Sequence, residues 1–358
     1  MSRILSTNFS EKTDPEIILS KIKKSIDNNQ QDYYILGTHN GVFHCDEVAA
    51  ISIFKHFVKQ YSGNNLNIEI MRSRNYDTLS LANVRLDVGS DFNVDTLTFD
   101  HHQKGFEFFY NIQEPLQGYA SSDFRNYTIP MATCGMMWEI FGHEIINNFV
   151  PKISDKNSIN RVYENIRDFL FQIDATDTGF VSSLGKFFGT PISSCISLLN
   201  SEDVNDNPSQ INQMKKAIDF FSEILFSKIR NAINRINFEK EVFKAAEEAK
   251  NGIMVLSTSG PWVETVLNNW ERFENIKVCV FSLNEADYRI MTLPKVREDR
   301  MSMRCPAPVE WRGEKPEKLN EMIGIDDAIF VHPAGFIGGA KSLYSIATMA
   351  EKWVNSNS

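Results

Sequence analysis

Cysteine is sparse in this 358-residue chain: Cys45, Cys134, Cys195, Cys279 and Cys305, odd in number and widely scattered. No CxxC pair occurs, which argues against a zinc ribbon or a disulfide framework and fits a reducing compartment. No apolar run approaches the roughly 18 residues that would span a bilayer, so no membrane partner is expected. Positive charge is also short. Lys and Arg number 37 against 46 Asp and Glu, a formal net charge of -9. Such a chain has no global basic field to hold a nucleic-acid duplex. Any phosphate-bearing partner must meet a local basic patch or bound cations. The first ten residues, MSRILSTNFS, carry one Arg and no acid. They fall short of a transit peptide and contain no signal-peptide hydrophobic region. The expected compartment is cytoplasmic or nuclear, with mitochondrial import as the alternative.

Histidine is scarce too, at seven residues, and four of the seven fall in two short loops beside carboxylates. One is Phe99-Asp100-His101-His102-Gln103, after the extended run Thr96–Phe99. The other is Gly37-Thr38-His39-Asn40-Gly41-Val42-Phe43-His44-Cys45-Asp46-Glu47, after the aromatic and β-branched run Tyr33–Leu36. Both read as strand ends opening into loops. Val84–Gly89 is another strand, with Asp87 near its end, and Leu66–Met71 a fourth. Ile17, Ile18, Leu19, Ile22 and Ile26 recur at helical spacing, as does Val48–Phe54. Strands alternating with helices, with polar residues at strand ends, predict an α/β protein with a parallel sheet flanked by helices. Ligands of such sheets bind beyond the carboxyl edge.

Beyond Ala132 the pattern turns helical, over Ala132–Phe141 and Val162–Ile173, the latter running into Asp174-Ala175-Thr176-Asp177-Thr178-Gly179. A long helix is expected over Ile211–Lys250, and further strands at 253–257, 277–281 and 288–292. The expected domains are residues 1–30 as an extension and helix, 31–205 as a metal-binding catalytic domain, 206–250 as a helical connector, and 251–358 as a smaller α/β substrate-binding domain joined by that long helix.

Carboxylates and imidazoles together suit two divalent ions about 4 Å apart, with Mn²⁺ favoured and Mg²⁺ or Co²⁺ admitted by the mixed donor set. His39, His44 and Asp46 are candidates for one ion, and Asp100 with His101 for the other. Asp87 and Asp174 are natural shared ligands, and His102 a contact to a substrate phosphoryl oxygen. Coordination lowers the pKa of water toward neutrality and so supplies an attacking group. Ordinary readings stand beside these. His39 can cap a helix, Glu47 can be a first-turn acid favoured by the helix dipole, and Asp177 reads more readily as a cap than as a ligand. Gly338 and Gly339 before a helix, with His332 and Lys341 near, can present backbone N–H groups and a cation to phosphate, or form a plain tight turn. Lys295, Arg297, Arg300 and Arg304 are either a basic rim or a solvated loop. Cys45 lies among acids that raise a thiol pKa, which argues against a nucleophile.

At these residues the sequence resembles the DHH phosphoesterases, and more closely the Myg1 family. The resemblance rests on the 37–47 segment, Asp87-Val88-Gly89, Phe99–Gln103, Asp174–Gly179 and Phe336-Ile337-Gly338-Gly339, and runs from about Ile35 to about Ala350. It implies a DHH-type fold of two domains, the metal site in the first and substrate contacts from the second. It also implies a 3′-to-5′ exoribonuclease of mitochondria and nucleus. The leading expectation is therefore a two-metal phosphodiester hydrolase acting on single-stranded RNA threaded between domains. A phosphatase or pyrophosphatase for a short nucleotide is the first alternative, slightly favoured by the acidic charge. A non-catalytic nucleotide- or partner-binding protein is the second, and a homodimer is open.

Overall fold

The computed structural model describes residues 4–7, 14–63, 65–106, 108–112, 127–149, 153, 155–179 and 191–356. The strands are β1 (Ile4–Thr7), β2 (Tyr33–Thr38), β3 (Asn67–Arg72), β4 (Val84–Leu86), β5 (Phe92–Asn93), β6 (Thr98–Phe99), β7 (Phe109–Ile112), β8 (Tyr127–Pro130), β9 (Ile253–Leu256), β10 (Val278–Asn284), β11 (Asp287–Thr292), β12 (Ala328–Val331) and β13 (Ile337–Ala340). The α-helices are α1 (Pro15–Asp27), α2 (Cys45–Tyr61), α3 (Tyr76–Leu79), α4 (Thr133–Asn147), α5 (Lys156–Asp177), α6 (Pro191–Ser197), α7 (Asn207–Glu247), α8 (Trp262–Asn268), α9 (Pro316–Ile323) and α10 (Leu343–Asn355). The chain divides into two compact units, Met1–Ile233 and Asn234–Ser358, and α7 runs across that boundary. No described helix is long and apolar enough to cross a membrane.

In the first unit the central sheet has the order β3-β2-β4-β6-β5. Its first four strands are parallel, as the alternating pattern predicts, and β5 closes the edge antiparallel to β6. The order matters more than the count. β2, β4 and β6 are neighbours, with Gly37 opposite Arg85 and Leu86 opposite Phe99. Continuing that register, two residues past Gly37 and Arg85 and one past Leu86 and Phe99, sets His39, Asp87 and Asp100 side by side beyond the carboxyl edge. Three segments that are up to 61 residues apart thus meet because of strand order.

Helix α2 is buried almost all round from Cys45 to Phe54, as a helix between other layers must be. It packs against α4, where the rings of Phe57 and Phe141 stack 4.4 Å apart. Helix α4 can lie close to its neighbours because two of its positions have no side chain. A Cβ on Gly135 would fall 2.0 Å from Asp174 Oδ2 and 2.1 Å from Tyr110 Oη. Gly135→Ala is therefore expected to destabilise the fold by about 3 kcal/mol, the upper end of ordinary overpacking, as a lowered melting temperature in thermal denaturation. A second sheet, β1-β7-β8, is wholly antiparallel and draws its edge strand from the first residues. The periodicity of the sequence does not announce it.

In the second unit the sheet order is β12-β13-β11-β10-β9. Alternate residues of β10 feed two cores. Val278 and Val280 join Trp311 and Trp353 on one face, while Cys279 and Phe281 join Trp262 and Phe273 on the other. Gly338 and Gly339 lie inside β13, opposite Ile290 and Arg289 on one side and Val331 and Phe330 on the other. This corrects their reading as an N–H cradle at a helix start. The sheet engages that backbone on both sides, and the following helix is capped instead by the Ser342 hydroxyl, which accepts from Ser345 N.

Candidate metal centre

His39 follows β2 and is buried. Its Nε2 lies 2.6 Å from Glu47 Oε2 and 3.4 Å from Asp87 Oδ2. Glu47 sits in the first turn of α2. Its Oε1 accepts from the Thr38 hydroxyl at 2.7 Å, and its Oε2 accepts from His44 N at 3.2 Å. The helix-start role and the site role therefore belong to the same carboxylate, and the residue joins the candidate ligands. Burial works to lower the pKa of His39. The bonds to Asp87 and Glu47 outweigh it, and the pKa stands at about 10.

Asp87 occupies the centre. Its Oδ1 accepts from the Thr133 hydroxyl at 3.1 Å and lies 3.3 Å from His101 Nε2. Its backbone is left-handed, at φ 57°. That conformation is costly for most residues and tolerated by Asp and Asn, and it turns the carboxylate between His39 and His101. Burial would raise this carboxyl group, but the two imidazoles hold it well below the usual range.

Asp100 follows β6. Its Oδ2 accepts from Ser90 N at 2.6 Å, and its Oδ1 lies 2.7 Å from His102 Nδ1. The side chain of His101 is 8% exposed and that of His102 58%. His101 Nε2 is also 3.3 Å from Asp177 Oδ2, and neither of its close carboxylate contacts has hydrogen-bond geometry. Burial opposes protonation of His101, yet Asp177 and Asp87 raise its pKa to about 10. For His102 the bond to Asp100 comes first and raises its pKa.

Asp46 is the most telling residue. It is fully buried on the first turn of α2, and neither carboxylate oxygen accepts a hydrogen bond. Burial first, then the carboxylates of Asp87, Asp177 and Glu47, push its pKa well above the normal value. Its nearest cationic group is His101, with Nε2 4.0 Å from Oδ2. A buried carboxylate without hydrogen bonds is expensive, and a bound cation would lower the cost. Three sets of ligand atoms, each within 4.8 Å of one another, occur among the described residues. They are Asp87, Asp100, His101 and His102; His39, Glu47 and Asp87; and His44, Asp46 and Asp177. Nitrogen and carboxylate oxygen without thiolate fits a hard or borderline divalent ion. Asp87 belongs to two sets.

Asp174, expected as a shared ligand, is in none of these sets. Its Oδ2 accepts from Tyr110 Oη at 2.7 Å, and its Oδ1 from Cys134 Sγ at 2.7 Å and Gly135 N at 3.3 Å. Burial raises its pKa to about 7 against those donors. One helical turn on, Asp177 lies where a ligand was sought. Its Oδ1 is 3.9 Å from His44 Nδ1. The Cys45 thiol is pushed up to about 12, by burial first and with the carboxylates of Asp177 and Asp174 adding to it.

The remaining candidates lie in the second unit. His332 Nδ1 accepts from Ala334 N at 3.1 Å, and Lys341 is exposed beside β13. Arg304 is spent on the carbonyls of Phe273, Glu274 and Ile276, and Arg300 pairs with Glu264, so two of the four rim cations are already engaged.

The family model for MYG1 exonucleases, described as an uncharacterised protein family (UPF0160), matches residues 35–354. A MYG1 protein of Caenorhabditis elegans is 27% identical over 343 residues, covering 89% of this chain and 94% of that protein. The human protein named MYG1 exonuclease is 25% identical over 334 residues, covering 88% and 84%. A MYG1 protein of Saccharomyces cerevisiae is 26% identical over 340 residues, covering 87% and 94%.

Proposed function

The chain belongs to the MYG1 family, and we propose that it is a metal-dependent phosphodiester hydrolase, a 3′-to-5′ exonuclease acting on single-stranded RNA. The observation that carries this reading is one buried carboxylate, Asp87, shared by two sets of candidate ligands, with Asp46, whose oxygens accept no hydrogen bond, beside them. The name MYG1 exonuclease carried by several relatives agrees with it. So does the resemblance of its motifs to those of the DHH phosphoesterases.

Two divalent cations, Mn²⁺ first, would be held by His39, Glu47 and Asp87 on one side and by Asp87, Asp100 and His101 on the other. Bound there, they would stabilise charge on the phosphoryl group and lower the pKa of water. The protein's own residues do the rest. Asp100 holds His102 by Nδ1, which leaves Nε2 of this half-exposed ring free for a phosphoryl oxygen. The bond to Asp100 raises the pKa of the ring, which favours the protonated form that donates from both nitrogens. Asp177 and Asp46 bracket His44 on the remaining side, where a third polar contact to substrate can form.

A ladder of 5′-labelled oligoribonucleotides from two to about 25 nucleotides, with Mn²⁺ and with chelator, tests the reading. Stepwise shortening that needs Mn²⁺, and is lost in Asp100→Ala without loss of fold, is the expected result. Immediate release of labelled mononucleotide would reverse the direction. Cleavage restricted to dinucleotides would move the substrate to short nucleotides. Full activity in Asp100→Ala would remove this site from the chemistry.

A further inference from the structure

Next to the metal centre is a cavity of about 410 Å³ of whose lining only His44 has a role above. His44 forms its edge toward the ligand cluster, and Asn40, Arg74, Asn205 and Asn207 line it. The volume lies in the lower part of the range for small-ligand pockets, ~300–1,000 Å³, enough for one nucleotide and too small for a duplex. Arg74 is exposed, and among the described residues its guanidinium has no ion-pair partner. No lining residue is a carboxylate. Of the nearby acids, Asp203 Oδ1 accepts from Asn205 N and Asp206 Oδ2 from the Ser209 hydroxyl, while Asp46 and Asp177 adjoin His44 outside the lining. A cationic and amide-lined hollow in a chain of net charge -9 is a local exception to its electrostatics.

The wall of this cavity is also held more firmly than a connecting loop requires. Gly41 O accepts from Arg72 Nη2 at 3.0 Å and from Gln210 Nε2 at 3.1 Å. Asn200 bonds Phe43 twice, accepting from its N at 2.9 Å and donating to its O at 3.1 Å. Gln210, fully buried, also donates to Asn200 Oδ1 at 3.0 Å. Asn207 gives its Nδ2 to Arg72 O at 3.2 Å, while its own Oδ1 is buried without a partner. Side chains from β3, from the segment after α6 and from α7 therefore fix the backbone on either side of Val42. Pre-organisation of this kind is what a recognition surface needs.

We infer that this cavity is a subsite for one nucleotide of the substrate, its phosphate on Arg74 and its base or ribose edge on the amides of Asn40, Asn205 and Asn207. The inference rests on the hydrolase reading for its role next to the scissile bond, though not for its ability to bind. Arg74 supplies a planar fork that can take two phosphate oxygens, which Lys cannot match. The asparagine amides supply both donors and acceptors, as base edges do.

The test uses the full chain and two readouts. Calorimetric titration with AMP and with GMP, with and without Mn²⁺, reads binding directly. The kcat and KM values on a ten-nucleotide RNA read its use. Arg74→Ala is expected to weaken mononucleotide binding about tenfold, the loss of one charged hydrogen-bonded contact, and to raise KM similarly with a smaller change in kcat. Arg74→Lys should recover part of the loss, and Asn205→Asp, which adds a carboxylate, should weaken binding as Arg74→Ala does. Arg74 is exposed, so these variants are expected to keep the far-ultraviolet circular dichroism of the parent. Absence of mononucleotide binding in either condition, or binding and KM indifferent to Arg74→Ala, overturns the subsite. Arg74-dependent binding without hydrolysis of any RNA leaves the subsite standing and removes the hydrolase reading instead.

Discussion

Asp87→Asn is expected to lower Mn²⁺-dependent hydrolysis by about three orders of magnitude, since metal-borne charge stabilisation is worth several kcal/mol and each 1.4 kcal/mol is tenfold. The expectation follows from the position of one side chain. Asp87 belongs to two sets of candidate ligands, so its loss weakens both at once, whereas loss of Glu47 or Asp100 touches one. Asn keeps the shape and the acceptor for the Thr133 hydroxyl, and it tolerates the left-handed backbone at φ 57°. The fold should survive. Asp87→Ala should lose as much activity and in addition about 1–2 kcal/mol of stability, because alanine pays the left-handed penalty. Initial rates on labelled RNA, together with melting curves at rising Mn²⁺, check both points. The parent should melt higher as Mn²⁺ is added, by mass action on the folded state, and Asp87→Asn should show little of that rise. Hydrolysis by Asp87→Asn within tenfold of the parent would show that Asp87 is not shared.

Much of the first unit was legible because its strands announce themselves. Tyr33–Thr38 and Val84–Leu86 are short strands that lead directly into His39 and Asp87, and parallel strands of this kind deliver such ends to one edge. Strand order was not legible. Nothing in the sequence says that β2, β4 and β6 are neighbours, and that adjacency brings the histidines and acids together. Asp174 and Asp177 show a finer limit. They are three apart on α5, nearly on the same face, so periodicity cannot choose between them. What separates them is tertiary: α4 approaches at Gly135, and Tyr110 and Cys134 claim Asp174. Two buried donors opposite an acid leave no pattern in one sequence. Glu47 was ambiguous for another reason, since a carboxylate at a helix start suits the dipole whether or not it serves a site. The glycine pair at 338–339 misled because turn glycines and strand glycines read alike until β12 and β11 are seen on either side.

Asp46→Asn should separate stability from function most sharply. In chelator the variant should melt higher than the parent at pH 7.5, by several degrees, while in Mn²⁺ the order should invert. The raised pKa of Asp46 gives the sign. The folded state holds a proton that the unfolded state releases, so the contribution to stability is full below the unfolded value near 4 and is lost as pH rises toward the folded value. Across that window the metal-free parent loses up to about 1.4 kcal/mol per pH unit from this group. Asparagine carries no such proton, and its amide can donate to the surrounding carboxylates of Asp87 and Asp177, which now repel a second acid. The advantage of the variant should therefore shrink toward zero near pH 4. A bound cation changes the balance, because it favours the carboxylate that burial alone disfavours. Metal should then stabilise the parent more at pH 8 than at pH 6 and stabilise Asp46→Asn much less. Equal melting temperatures for parent and variant in chelator from pH 4 to pH 8 would mean that the carboxylate has a compensating partner. Its burial would then be no sign of a cation. If the variant gains stability and loses hydrolysis together, the cost carried by the empty fold at Asp46 is the same interaction that binds the ion.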